Sequence, residues 1–259
     1  MKTVSSFKNA NVRVLLTDID GTLTEHGRLP AHSYDSLCEL SKAGFIVIPV
    51  TGRPAGWCEM IARLWPVHGV VGENGAFYFR YDTKMKRVFV RGKEQRKADR
   101  ARLREIRAQV LREVKGAGIA SDQFSRLFDL AVDFCEDVKP LKKEQIDRIV
   151  EIFEEHGATA KVSNIHVNGW FGDYDKVSTC KLYLKNELGL SEKEMKEKCA
   201  FAGDSPNDEP MFGFLPHSFA VANIKKFLDD LKHKPAYVAS KDEGAGFKEI
   251  ADRLLELKN

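Results

Sequence analysis

The stretch "LLTDIDGTLTEHG", residues 15–27, ends an apolar run in two carboxylates, Asp18 and Asp20, followed by Gly21. Three other polar groups stand in comparable places. Thr51, Gly52 and Arg53 follow "IVIPV", Asp204, Asn207 and Asp208 lie in "GDSPND" after "CAFAG", and Lys176 sits in "DYDK". If these runs are strands of one α/β sheet, the residues meet at its carboxyl edge, where such sheets bind ligands. Carboxylates gathered without a matching cation shift one another's pKa upward unless a hard divalent ion is bound among them. Mg²⁺ suits this set, because it takes oxygen ligands and keeps positions open for water or a phosphate oxygen. Lys176, Thr51 and the amides near Gly21 would then neutralise and hydrogen-bond a phosphoryl group.

The elements that must position these residues are legible in the pattern. Val12 to Ile19 is short, β-branched and nearly unbroken, as expected of a strand covered on both faces in a parallel sheet. "AHSYDSLCELSKAGF" predicts a helix, with Leu37, Leu40 and Ala43 at helical spacing and Gly44 as its stop. "IVIPV" (46–50), "PAGWCEMIARLW" and "GVVG" (69–72) continue as strand, helix and strand, the alternation of a doubly wound α/β layer. Phe77, Phe79 and Tyr81 then alternate ahead of "DTKM", which predicts an antiparallel hairpin. A charged helix (93–115), a strand-like "RLFDLAVDF", a helix (141–156) and "ATAKVSNIHVNGWFG" complete an inserted α+β region. The opening pattern resumes at "VSTCKLYLKNELGL". The expected division is core 1–82, inserted unit 83–172 and core 173–259, with crossings near 81–84 and 170–174.

Bulk composition excludes several classes. With 41 Lys and Arg against 38 Asp and Glu, the formal charge of +3 in 259 residues argues for neither nucleic acid nor an anionic membrane as partner. The basic run 93–115 carries Leu103, Ile106, Val110 and Val114 on one face, the mark of an amphipathic helix over a small sheet. Five scattered cysteines, with no C-x-x-C pair, suit neither a disulfide framework nor a zinc cluster. "MKTVSSFKNANVR" lacks a signal peptide's apolar segment, so a cytoplasmic monomer or homodimer is expected.

"DIDGTLT", "VTGRP", "DYDK" and "GDSPNDEPMF" resemble, in order and spacing, the four motifs of the haloacid dehalogenase (HAD) superfamily of aspartate-nucleophile phosphatases. "ENGAFYF" resembles the type IIB branch, which includes Cof-like and sucrose- or trehalose-phosphate phosphatases and carries an α+β (type C2B) cap on a Rossmann-like core. The resemblance implies that Asp18 attacks phosphorus and that Asp20 protonates the leaving group and then activates water. It implies that Thr51, Gly52, Lys176 and Asn207 serve the phosphoryl group. It implies further that Asp18, the Asp20 carbonyl, Asp204 and, through water, Asp208 serve Mg²⁺. The implied substrate is a small phosphate ester, a sugar phosphate first, with a hexose phosphomutase or a non-catalytic metabolite sensor as alternatives.

Other readings stand beside these. Thr51 and Asp208 also suit helix caps, and Arg53 suits the phosphate, the cap or a pair with Glu73. Glu73 and Asn74 read as shaping the "GENG" turn. His166 and Trp170 could read a sugar ring or pack at the hinge, and His26 reads as an exposed loop residue.

Overall fold

The structure is a computed structural model and describes residues 1–258. In chain order the strands are β1 (Lys2–Thr3), β2 (Val14–Thr17), β3 (Ile46–Pro49), β4 (Val70–Gly72), β5 (Phe77–Tyr81), β6 (Met85–Phe89) and β7 (Gly118–Ile119), then β8 (Leu130–Asp133), β9 (Thr159–Val162), β10 (His166–Trp170), β11 (Cys199–Gly203), β12 (Ser218–Ala220) and β13 (Tyr237–Val238). The helices are α1 (Ala31–Lys42), α2 (Ala55–Leu64), α3 (Lys93–Glu113), α4 (Lys143–Glu155), α5 (Lys176–Leu188), α6 (Glu192–Lys198), α7 (Glu209–Phe214) and α8 (Glu243–Glu256). No helix among the described residues is long and apolar enough to cross a membrane.

Six strands form a parallel sheet in the order β1-β13-β12-β11-β2-β3. Its central strands are apolar on both faces because helices cover both. Leu15, Val47 and Ala200 pack into one buried cluster, while Val14, Leu16, Ile48 and Phe201 pack into another on the opposite face. Each of the Val, Leu, Ile and Phe side chains contributes about 1.5–3 kcal/mol of burial. From β2 the chain winds outward to β3 in one direction, and from β11 to β12 and β13 in the other. The strand order therefore reverses between β2 and β11, the place where a parallel sheet leaves a crevice beyond its carboxyl ends.

Strand β4 joins β5 and β6 in a three-stranded antiparallel sheet and touches the main sheet through a bridge from Val71 to Val50. The crossing expected at 81–84 falls instead on the turn of the β5–β6 hairpin, where Tyr81 pairs with Met85. The hairpin stays with the core layer because Phe77 and Phe79 are buried in the core's apolar cluster and stack at 4.4 Å. The chain leaves that layer after Phe89.

The inserted region is a four-stranded sheet, β7-β8-β10-β9, under α3 and α4. As the spacing predicts, Leu103, Ile106, Val110 and Val114 are its buried face, packed on Ile149, Ile152 and Phe153. The arginines between them face outward, so the basic run is a solvated helix face.

Backbone strain is concentrated in the turn Glu73–Gly75, where φ is +43°, +55° and +103° at successive residues. Gly75 is required there twice over. Its φ is left-handed, and a Cβ would run into the Asp175 carbonyl at the start of α5. Thr179 of α5 donates to the Gly75 carbonyl at 2.5 Å, which docks the turn on the helix that opens with Lys176. Gly75→Ala should therefore destabilise the protein by about 2–5 kcal/mol in denaturant titration. Gly189→Ala, left-handed at +67° but facing open space, should cost about 1–2 kcal/mol. Equal losses would show that the docking on α5 contributes nothing.

Candidate active site

Asp18 and Asp204 directly follow the two central strands, and the amide of Asp18 donates to the Ala202 carbonyl at 2.8 Å. The switch in strand order thus sets both carboxylates at one crevice. Lys176, first residue of α5, reaches the same point: its Nζ lies 2.9 Å from Asp18 Oδ1 and 2.7 Å from Asp208 Oδ1. Asp208 is fixed in turn by the amides of Asp204 and Ser205, which donate to its Oδ2 at 3.0 and 3.4 Å. All four residues are buried.

The charges do not balance within the protein. Asp18, Asp20, Asp204 and Asp208 face Lys176 and Arg53, and Arg53 is shared with Asp122 and Glu136. Burial pushes the Asp18 carboxyl up to about 7 against the pull of Lys176, with Asp208 and Asp20 adding to the rise. Burial, then Asp18 and Asp208, push Asp204 well above the ordinary carboxylate range. Burial opposes the charge of Lys176, but the two neighbouring carboxylates outweigh it and raise its pKa. A hard divalent cation fits this donor set, because oxygens of Asp18, Asp204 and Asp208 lie within 4.8 Å of one another. Partial positive charge already gathers there: Asn164 and Asn223 donate to Asp204 Oδ2 at 2.8 and 2.9 Å, and Asn164 also donates to the Asp20 carbonyl at 3.3 Å. A Cβ on Gly21 would push into Asp204 Oδ2 and Asn164, which is why glycine follows Asp20.

Asp20 is set apart from the triad. Arg53 Nε and Nη2 donate to its carboxylate at 3.0 and 2.8 Å, a forked, charge-assisted pair. Arg53 also reaches Glu136 at 3.0 Å and stacks over Trp57 at 4.4 Å; its contact with Glu73 is through backbone alone, so the expected side-chain pair does not form. His166 Nε2 lies 2.9 Å from Glu136 Oε2, and that bond, with Arg53, holds the Glu136 carboxyl down to about 2.

Of the other sequence candidates, Gly52 and Asn207 line the crevice with Asp18, Asp20, Arg53 and His166. Thr51 is buried, and its hydroxyl accepts from the Arg53 amide at 3.0 Å. Trp170 does not reach the crevice; it stacks on Tyr174 at 5.8 Å at the return crossing. His26 is exposed.

The far wall was not foreseen. Arg126, buried, donates to Asp129 at 3.0 Å and to the Gly52 carbonyl at 2.9 Å, and Asn168 donates to Asp129 at 2.8 Å. Asn164, Asn223, Glu136 and this wall carry no motif of their own. Only Asn164 and Asn168 have a sequence signal, since "SNIHVN" places polar residues in a strand-like run.

Comparison with known proteins finds relatives in sequence and in fold. The family model described as haloacid dehalogenase-like hydrolase matches residues 15–101. A phosphoglycolate phosphatase of Methanobrevibacter smithii is 27% identical over 254 residues, covering 95% of this chain and 99% of that protein. Phosphoglycolate phosphatase 1 of Saccharolobus solfataricus is 24% identical over 254 residues, covering 95% and 96%. Among solved structures, Thermoplasma acidophilum 0175 superposes with a TM-score of 0.72 at 21% identity over 95% of this chain and 99% of that one. The sucrose-phosphatase of Synechocystis gives 0.64 at 15% over 94% and 98%. At these identities the structures show a shared fold.

The charge imbalance predicts a measurable linkage. MgCl₂ at a hundredfold excess over its Kd should stabilise the protein by about 2.7 kcal/mol, read as a rise in Tm that EDTA reverses. Asp204→Asn should raise the metal-free Tm and abolish the Mg²⁺-dependent rise. An unchanged Mg²⁺ response in that variant would place the cation elsewhere.

Proposed function

We propose, from the match of residues 15–101 to the haloacid dehalogenase-like hydrolase family and from the site, that this chain is a member of that family and a Mg²⁺-dependent phosphomonoesterase working through an aspartyl-phosphate on Asp18. The observation that carries the reading is the buried grouping of Asp18, Lys176 and Asp208 beside the separately held Asp20. Lys176 engages Oδ1 of Asp18, which leaves Oδ2 free to attack. A bond forms from Asp18 to phosphorus as the ester P–O bond breaks, and Asp20 supplies the proton that the departing alkoxide takes. Water then attacks phosphorus, Asp20 accepts its proton, and the Asp18–phosphorus bond breaks to release inorganic phosphate. Asp18, Asp204 and the Asp20 carbonyl would hold Mg²⁺, which when bound supplies electrostatic stabilisation of the phosphoryl oxygens. Lys176 and the Gly52 backbone neutralise and orient the same oxygens.

The forked pair with Arg53 bears on the order of events. It engages both carboxylate oxygens, so Arg53 must release one before Asp20 can pass a proton to the leaving group. The inserted unit, from the chain's departure after Phe89 to its return near residue 172, acts as the cap. The crevice beneath it encloses about 20 Å³, room for water and not for a phosphate ester, so the cap withdraws to admit substrate.

The relatives' names point to phosphoglycolate. The charge inventory supports a second reading, a small sugar phosphate, because Asp122, Asp129 and Glu136 offset Arg53 and Arg126 and leave acceptors for hydroxyls. A phosphate-release screen across phosphoglycolate, triose phosphates and hexose phosphates, with Mg²⁺ and no bisphosphorylated primer, decides between them. Release should exceed background for one of these esters. Asp18→Asn should abolish it, and Asp20→Asn should lower kcat by about 10²–10⁴-fold. Full activity in Asp18→Asn would exclude the mechanism.

A further inference from the structure

Glu73 is the most heavily bonded carboxylate outside the site. It is fully buried, and its oxygens accept from Ala55 at 3.0 Å, Leu127 at 2.9 Å, Phe128 at 2.6 Å and Asp129 at 3.3 Å. Ala55 opens α2 of the core, whereas Leu127 to Asp129 lead into β8 of the inserted sheet. One side chain therefore joins the two bodies through backbone amides, and the left-handed φ of Glu73 is the strain that aims it there.

The other attachments lie at the same end of the inserted sheet. Phe128, Trp170 and Tyr174 belong to the core's apolar cluster, and Phe128 meets Phe77, Phe89 and Tyr174 at 6.1, 5.9 and 6.2 Å. Leu130, Val132, Val167 and Phe171 belong to the insert's own cluster. In the register, Leu130 pairs with Gly169 beside these attachments, and Asp133 pairs with His166 at the opposite end. That opposite end covers the crevice, and the side-chain bonds that hold it run from Glu136 to Arg53 at 3.0 Å and from Asn164 to Asp20 and Asp204. Glu136 is partly exposed, so water can replace Arg53 at its carboxylate when that end lifts.

We propose that Glu73 is the pivot of the cap: the inserted sheet tilts about the Glu73 clamp, so residues 126–129 stay with the core while residues 134–137 and 163–166 lift away from Asp18. The inference takes from the proposed function only that an ester must reach Asp18. From the pivot end of β8 to its far end is a lever of about 10 Å, so a tilt of about 25° lifts the far end by about 4 Å. The wall made by Arg126 and Asp129 keeps its place opposite Gly52, to which Arg126 is bonded. Glu73 is thus a positioning residue, and the wall it fixes is a constant boundary on substrate length.

The test needs no ligand and no turnover, so it fails or succeeds apart from the phosphatase reading. Spin-label pairs are placed in the full chain in a Cys38→Ser, Cys135→Ser background. One pair, Lys185→Cys with Asp137→Cys, joins α5 to the far end; the other, Lys185→Cys with Phe124→Cys, joins α5 to the exposed turn beside the clamp. Pulsed dipolar spectroscopy should give a distribution broadened or split by about 4 Å for the first pair and a single narrow one for the second. Adding Glu73→Gln should broaden the second pair while circular dichroism stays unchanged. Broadening of both pairs with Glu73 intact, narrow distributions for both, or a second pair that stays narrow in Glu73→Gln would each overturn the pivot.

Discussion

Lys176 Nζ lies between Asp18 and Asp208, and most of the arrangement around it exists to make that contact possible. Four carboxylates meet at the ends of two central strands, which burial alone would forbid. One ammonium and one guanidinium offset part of the charge, and the remainder pushes the Asp18 and Asp204 carboxyls upward. On the proposed reading a divalent cation would supply the missing positive charge. The strained Glu73–Gly75 turn belongs to the same logic, since docking on α5 sets the helix that carries Lys176.

The second consequence is geometric. A water-excluding site needs a cover, and a cover that moves must be anchored somewhere. The apolar and fully buried attachments gather at one end of the inserted sheet, and the polar, partly exposed ones at the other. This division ties the strained turn to both tasks: one face of it positions the lysine, and its carboxylate holds the cap.

The sequence revealed those parts of the structure that rest on local pattern. Buried strands ending in "TDID" and "AGDS" announce themselves by unbroken apolar runs, and the alternation of strand and helix places their ends at one edge. Asp18, Asp20, Lys176, Asp204 and Asp208 could therefore be brought together before any coordinates, and the amphipathic face of α3 was legible from spacing alone. What escaped depends on contacts between distant residues with no local signature. Asn164 meets the Asp20 carbonyl across 144 positions, and Glu73 meets Phe128 across 55. "GENG" reads as a turn because its glycines show; that its glutamate faces inward and binds backbone amides does not. Arg53 was open to several partners, and Trp170 proved to be hinge packing, because pairing and burial were decided by the insert's docking. The β5–β6 hairpin reads as part of the insert for a similar reason: alternation reveals a strand and not the layer that receives it.

The central claim is that Asp18 is the nucleophile, and the most direct measurement of it is chemical trapping. Asp20→Asn protein mixed with Mg²⁺ and radiolabelled p-nitrophenyl phosphate, whose leaving group departs without a proton, quenched in acid within its first turnover and mapped by peptide mass, should carry the label on Asp18, because the residue that would activate water is missing. The Asp18→Ala protein should carry none. Label on another residue, or label retained in Asp18→Ala, would contradict the account.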